Sequence, residues 1–204
     1  MTRAGFLIAR TLRHEDALMR LSVPQGDLLG DLAGRDVALV GNARALADKD
    51  QGAGIDAADT VIRINRAPMP AAFSHGTRTD WLALATRLGD ADRSRIAPGR
   101  ILWMSPKRKR LDWASASSDG FYLHPLAAHR ALRDRFGAPP TTGAMMIDLL
   151  MRSRLRSLTL HGFDFFASLS LSGRRTADQV PHDFAAERAM VETLRDRDGR
   201  LRIA

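Results

Sequence analysis

Short apolar runs bounded by turn residues recur along this chain, and longer segments with helical spacing lie between them. Asp36-Val37-Ala38-Leu39-Val40 reads as a buried strand stopped by Gly41-Asn42. Comparable runs occupy 60–64, 80–84, 100–104, 121–123 and 158–160. Apolar spacing predicts helices over 85–96, 126–136 and 144–153, and a last one from about 183 to 195. Residues 11–33 alternate charged and apolar positions as a helix does, and Gly34 ends them. Strands alternating with helices argue for an α/β fold, a parallel sheet covered by helices on both faces. The expected organisation is an N-terminal helical segment, 1–34, and one domain, 35–204. Ligands of such sheets bind beyond the carboxyl ends of the strands. Gly41-Asn42, the basic run Ser105-Pro106-Lys107-Arg108-Lys109-Arg110 and the polar stretch 168–179 all fall at such ends.

The 204 residues are ample for one core, and 45% apolar with 26% charged is the composition of a globular chain. Cysteine is absent. That excludes a disulfide scaffold, a thiolate zinc site and a cysteine nucleophile, and it fits a reducing compartment. No stretch approaches the roughly 20 apolar residues of a membrane span. The apolar run between Met1 and Arg10 is too short for a signal peptide. The expected location is therefore the cytoplasm. A net charge of +8 concentrates anions near the surface without choosing among nucleotides, acidic sugars, nucleic acid and lipid. Of the basic residues only Lys49, Lys107 and Lys109 are lysine, a bias expected of a GC-rich bacterial genome. The arginines are scattered and aromatics are only 6%, which argues against a nucleic-acid-binding module.

Four constellations carry candidate chemistry. Val40-Gly41-Asn42-Ala43-Arg44 offers a tight turn with exposed N–H groups and an amide, suited to a phosphate or ribose, although Gly-Asn is also an ordinary turn. Ile62-Arg63-Ile64-Asn65-Arg66-Ala67-Pro68 ends a second strand in a second asparagine; two amides, each with donor and acceptor, can read a pyrimidine edge or a ribose. Pro140-Thr141-Thr142-Gly143-Ala144 opens an apolar helix, where hydroxyls and free N–H groups bind anions or simply cap. Pro181-His182-Asp183-Phe184-Ala185-Ala186-Glu187 sets a histidine at a helix start with a carboxylate five positions on, a candidate general base. These two are not on one helical stripe, so pairing requires His182 to precede the helix. The D-x-D triplets at 48–50, 90–92 and 196–198 read as solvated faces, and no metal is expected.

The order and spacing of these pieces resemble the sialyltransferases of glycosyltransferase family 29. Val37 to Pro68 is similar to that family's large sialyl motif, with Ile55-Asp56 as its Ile-Asp step, and Gly76-Thr77-Arg78-Thr79 continues the likeness. Tyr122-Leu123-His124-Pro125 looks like the segment upstream of the small motif. Pro140-Thr141-Thr142-Gly143 through His161-Gly162-Phe163 looks like the small motif, and His182 to Glu187 like the very small motif, H-x-x-x-x-E.

The resemblance implies a seven-stranded, Rossmann-like, mostly parallel sheet with helices on both faces, in the sialyltransferase variant of the A-type glycosyltransferase fold. It implies a CMP-sialic acid donor, a glycan acceptor, and metal-independent inverting transfer with no cofactor. Carried over by position, Gly41, Asn42 and Asn65 would hold the CMP phosphate and ribose. Thr141, Thr142, Gly143 and Phe163 would contact the donor, and His182, with Glu187, would act as general base. The family's cysteine pair falls at Val37 and Leu155, and a member without the family's anchor and stem is expected. Its histidine-aromatic motif has none in 166–181, where Arg174 or Arg175 is expected to supply the charge. The expected acceptor is a surface glycan, lipid-linked in one reading, with Lys107 to Arg110 facing an anionic membrane. Alternatives are another CMP-activated acid sugar such as Kdo, and a CMP-sugar-binding protein without catalysis.

Overall fold

The computed structural model describes residues 1–164 and 181–204. Seven strands form one parallel sheet: β1 Asp36–Val40, β2 Thr60–Ile64, β3 Trp81–Leu84, β4 Arg100–Trp103, β5 Tyr122–Leu123, β6 Ser157–His161 and β7 Leu201–Ile203. Their order is β5-β4-β3-β2-β1-β6-β7. The chain builds outward from β1 to β5 and then returns to the other side of β1, where Val37 pairs with Leu158 of β6. This reversal opens a crevice beyond the carboxyl ends of β1 and β6.

Alternation along the strands sends side chains to two apolar layers. Val37, Leu39, Ile62, Leu102 and Leu160 enter the larger core, shared with α3 Gln25–Gly30, α8 Leu126–Phe136, α9 Thr142–Leu150 and α10 Phe184–Arg197. Leu82, Leu84, Ile101 and Trp103 face the other way. They meet Phe6 of α1 Arg3–Thr11, Leu18 of α2 Glu15–Met19, Ile96 of α6 Asp90–Ile96 and Ala116 of α7 Trp113–Ala116. On that same face Ala38, Val40 and Val61 pack on Leu46 and on Ile55 of α4 Gly52–Asp56, against which α5 Ala72–His75 rests. Val37 and Leu155, the positions of the family's cysteine pair, are both buried in the larger core.

The periodicity placed β1, β2 and α8 at their observed bounds. Residues 11–33 are not one helix. Arg13 takes a positive φ of 56° after α1, Pro24 precedes α3, and the segment folds as short helices that wrap the sheet. The helix expected from 85 begins only at Asp90, because the Ala85 N–H is taken by the Asn65 side chain at 3.0 Å and 85–89 run as a loop. The helix expected over 144–153 spans Thr142–Leu150, since Thr141 caps it. Strand β7 was not expected; its three residues acquire strand geometry by pairing with β6. No helix among the described residues is long and apolar enough to cross a membrane.

Candidate active site

A cleft of about 820 Å³ lies over the carboxyl ends of the strands. Gly41, Asn42, Asn65, Thr141, Thr142, Gly143, Phe163, His182 and Glu187 all line it. Arg174 and Arg175, and the stretch 168–179 that carries them, lie outside the described residues.

Three motifs meet at the reversal of strand order. The Gly41 N–H donates to the His161 carbonyl at 2.8 Å, and Ala43 donates to that of Gly162 at 3.2 Å, which zips the two turns together. A Cβ on Gly41 would overlap the Gly162 carbonyl, and one on Gly143 would stand 2.7 Å from the Phe163 ring. Both glycines are therefore set by close approach, with the Phe163 ring packed between β1's turn and the start of α9.

The two asparagines hold the loops as well as face the cleft. Asn42, 8% exposed, donates from Nδ2 to the Ile64 carbonyl at 3.3 Å and so ties β1 to β2. Asn65 adopts φ 54°, which asparagine tolerates, and its Oδ1 accepts from Ala85. Asn65 thus offers chiefly its NH₂ to the cleft, and part of the Asn42 NH₂ is already used.

Thr141 caps α9 by accepting from the Ala144 N–H at 3.1 Å. Glu187 binds the same residue, its two oxygens accepting from Thr141 N–H and Thr141 Oγ1 at 2.7 Å each. Glu187 is 4% exposed. Burial pushes its pKa up to about 7 against those two hydrogen bonds, with a further contribution from the charge of Asp183.

His182 precedes α10, as pairing with Glu187 would have required, yet the two do not pair. The His182 ring instead reaches the Pro139 carbonyl at 2.7 Å through Nδ1. A carbonyl only accepts, so Nδ1 carries the proton and Nε2 of the neutral ring keeps its lone pair. The H-x-x-x-x-E spacing thus has a structural reason: His182 and Glu187 grip the backbone of 139–141 at two points, and fix the start of α9 against α10.

Several lining residues were not singled out in the sequence. His129 and Arg133 lie one turn apart on α8, a spacing that marks one helix face, and Arg66 and Thr86 follow the ends of strands. With Lys107 and Arg110 they make the cleft rim basic, against Asp164 and Glu187. The basic run itself is divided. Arg108 is 4% exposed and turned inward, paired with Glu15 at 2.6 Å and donating to the Ser105 and His124 carbonyls, whereas Lys107, Lys109 and Arg110 are exposed. Other parts of the family likeness also serve structure. Arg63 is buried and donates to the carbonyls of Arg78 and His75, and Asp56 accepts from the N–H groups of Thr77 and Arg78. Among the described residues no three His, Asp or Glu side chains are grouped to hold a metal ion.

The sequence profile of glycosyltransferase family 29 (sialyltransferase) matches residues 19–87, the stretch that carries β1, β2 and β3. No curated protein matches the sequence. Among solved structures, the fold is similar to that of a mammalian sialyltransferase, with a TM-score of 0.61 and 18% identity over 92% of this chain and 83% of that one. It is similar to the Campylobacter jejuni sialyltransferase CstII in complex with the substrate analogue CMP-3FNeuAc, with a TM-score of 0.57 and 13% identity over 83% and 81% of the two chains. A CstII complex with CMP and a trisaccharide acceptor gives a TM-score of 0.54 at 14% identity, over 82% and 79%. The profile match over 19–87 and the shared fold make this chain similar to the sialyltransferases of glycosyltransferase family 29.

Proposed function

We propose that this protein transfers sialic acid from CMP-sialic acid to a hydroxyl of an acceptor glycan, with inversion, without a metal, and with His182 as general base. The observation that carries the reading is the convergence, in one basic cleft, of the Gly41-Asn42 turn, Asn65, the amino end of α9 and a histidine whose Nε2 is left as an acceptor.

The chemistry follows from those groups. His182 Nε2 takes the acceptor hydroxyl proton as the oxygen bonds to the anomeric carbon. The bond from that carbon to the phosphate oxygen breaks, and its electron pair leaves on CMP. Charge grows on the phosphate, and the free N–H groups at the start of α9 and the Asn65 amide are the donors suited to receive it. Glu187 acts here as a positioning residue: by holding Thr141 it fixes the amino end of α9. Arg66, Lys107, Arg110 and Arg133 raise the local concentration of an anionic donor. A cytoplasmic enzyme of this kind would serve the assembly of a surface glycan.

The test is calorimetric CMP binding, followed by release of CMP from CMP-sialic acid with an acceptor screen, in the presence and absence of EDTA. His182→Ala is expected to leave CMP affinity within a few-fold and to lower transfer by ~10²-fold or more, the scale of general-base catalysis. Release that EDTA abolishes would overturn the metal-independent reading. Binding without release, unchanged by His182→Ala, would favour a different CMP-sugar or a binding protein. A separate variant carrying Arg174→Ala and Arg175→Ala tests the expected charge; unchanged donor affinity and turnover would remove it.

A further inference from the structure

A helix on a globular surface ordinarily buries its apolar stripe and turns polar groups outward. α1 is apolar on both sides. Phe6 and Ala9 pack inward, while Leu7, Ile8 and the adjoining Met1 and Leu12 are 41%, 61%, 52% and 72% exposed. At 100° per residue Ala4, Leu7, Ile8 and the C-cap residue Leu12 fall on one outward arc, interrupted only by Thr11. Four of the six large apolar side chains exposed among the described residues belong to this segment.

Its surroundings are cationic. Arg3–Thr11 contains no acidic residue, and Arg3 and Arg13 are exposed at either end. Arg10 donates to the Leu111 carbonyl at 2.8 Å and seats α1 against the turn that exposes Lys107, Lys109 and Arg110. Lys107 and Arg110 in turn line the cleft. The apolar arc of α1 is therefore bordered by cations that continue to the cleft rim.

We propose that this surface docks on an anionic lipid bilayer. α1 lies in the plane of the interface with its outward arc among the acyl chains, and Arg3, Arg13, Lys107, Lys109 and Arg110 sit at headgroup level. Charge complementarity selects this occupant over a second copy of the chain, since an isologous pairing would bring the same cations face to face. The cleft rim then stands at the membrane surface, open to a lipid-linked acceptor, while a water-soluble donor enters from the aqueous side. Docking stands apart from the identity of the donor, and its readout does not depend on turnover.

The test is flotation of the full chain with vesicles of phosphatidylcholine alone and of phosphatidylcholine with phosphatidylglycerol. Binding is expected to the second kind and to weaken as salt rises. Ile8→Glu with Leu12→Glu is expected to reduce it roughly tenfold or more, and Arg3→Glu with Lys109→Glu to reduce it comparably. Both double variants change exposed side chains, so thermal midpoint and CMP affinity should not move. Three results would overturn the proposal: no flotation with either vesicle, equal flotation of the wild type and Ile8→Glu/Leu12→Glu, or concentration-dependent self-association lost in that variant without vesicle binding. The last would assign the face to a second copy.

Discussion

Glu187 offers a quantitative test of the grip on α9, because its setting couples protonation to stability. The carboxyl is buried, and that burial pushes its pKa from the ordinary 4.5 up to about 7. The native state therefore holds a proton at pH values where the unfolded chain has released it. Stability from this group is complete below pH 4.5 and is lost as pH rises through about 7, a change of roughly 3 kcal/mol. Glutamine has the same shape and no titration. Its Oε1 can accept from the Thr141 N–H, and its Nε2 can donate to Thr141 Oγ1, so Glu187→Gln keeps the contact and removes the pH dependence. Urea unfolding of both proteins at steps from pH 5 to 8 isolates the effect, since every other titrating group cancels in the difference. The difference should move in favour of Glu187→Gln by about 2 to 3 kcal/mol across that range. A difference that stays flat would refute the claim that burial of Glu187 dominates its protonation, and with it the picture of a dry clamp beneath α9.

Gly143→Ala should displace the Phe163 ring, because the new Cβ would lie 2.7 Å from it. A stability loss of about 1 to 3 kcal/mol and weaker CMP binding are expected in denaturation and calorimetry. Glu15→Ala leaves the buried Arg108 without its ion pair; with Glu15 28% exposed, the expected loss is about 2 to 3 kcal/mol, with CMP affinity unchanged. Asp56→Ala removes the acceptor of the Thr77 and Arg78 N–H groups away from the cleft, so the thermal midpoint should fall while donor release per folded molecule holds.

The strands were legible in the sequence for a plain reason. In a parallel sheet covered on both faces a strand is a largely apolar run: Val37-Ala38-Leu39-Val40 is one ended by Gly41, and Val61-Ile62-Arg63-Ile64, broken only by Arg63, is one ended by Asn65. Strand β7 was not legible, since Leu201-Arg202-Ile203 carries no pattern long enough to distinguish it and takes its geometry from β6. Residues 11–33 carry helical alternation and do form helices, but short ones, because alternation of charged and apolar residues does not report where the chain must bend around a sheet edge.

The candidate site divides along the same line. Residue types and their order determined which segments reach the cleft, because a motif at the carboxyl end of a strand must arrive at the same edge of a parallel sheet as every other. Partnership was decided only in three dimensions. The sequence puts Glu187 five residues from His182, but the packing of α10 on α9 directs Glu187 to Thr141 and His182 to the Pro139 carbonyl. The basic run reads as four equivalent cations, but burial against Glu15 takes Arg108 inside and leaves Lys107, Lys109 and Arg110 at the surface. Periodicity and motif order are properties of the chain itself and survive in the sequence. Hydrogen-bond partners, tautomer and protonation depend on which groups share a buried volume, and only the packed tertiary structure specifies that.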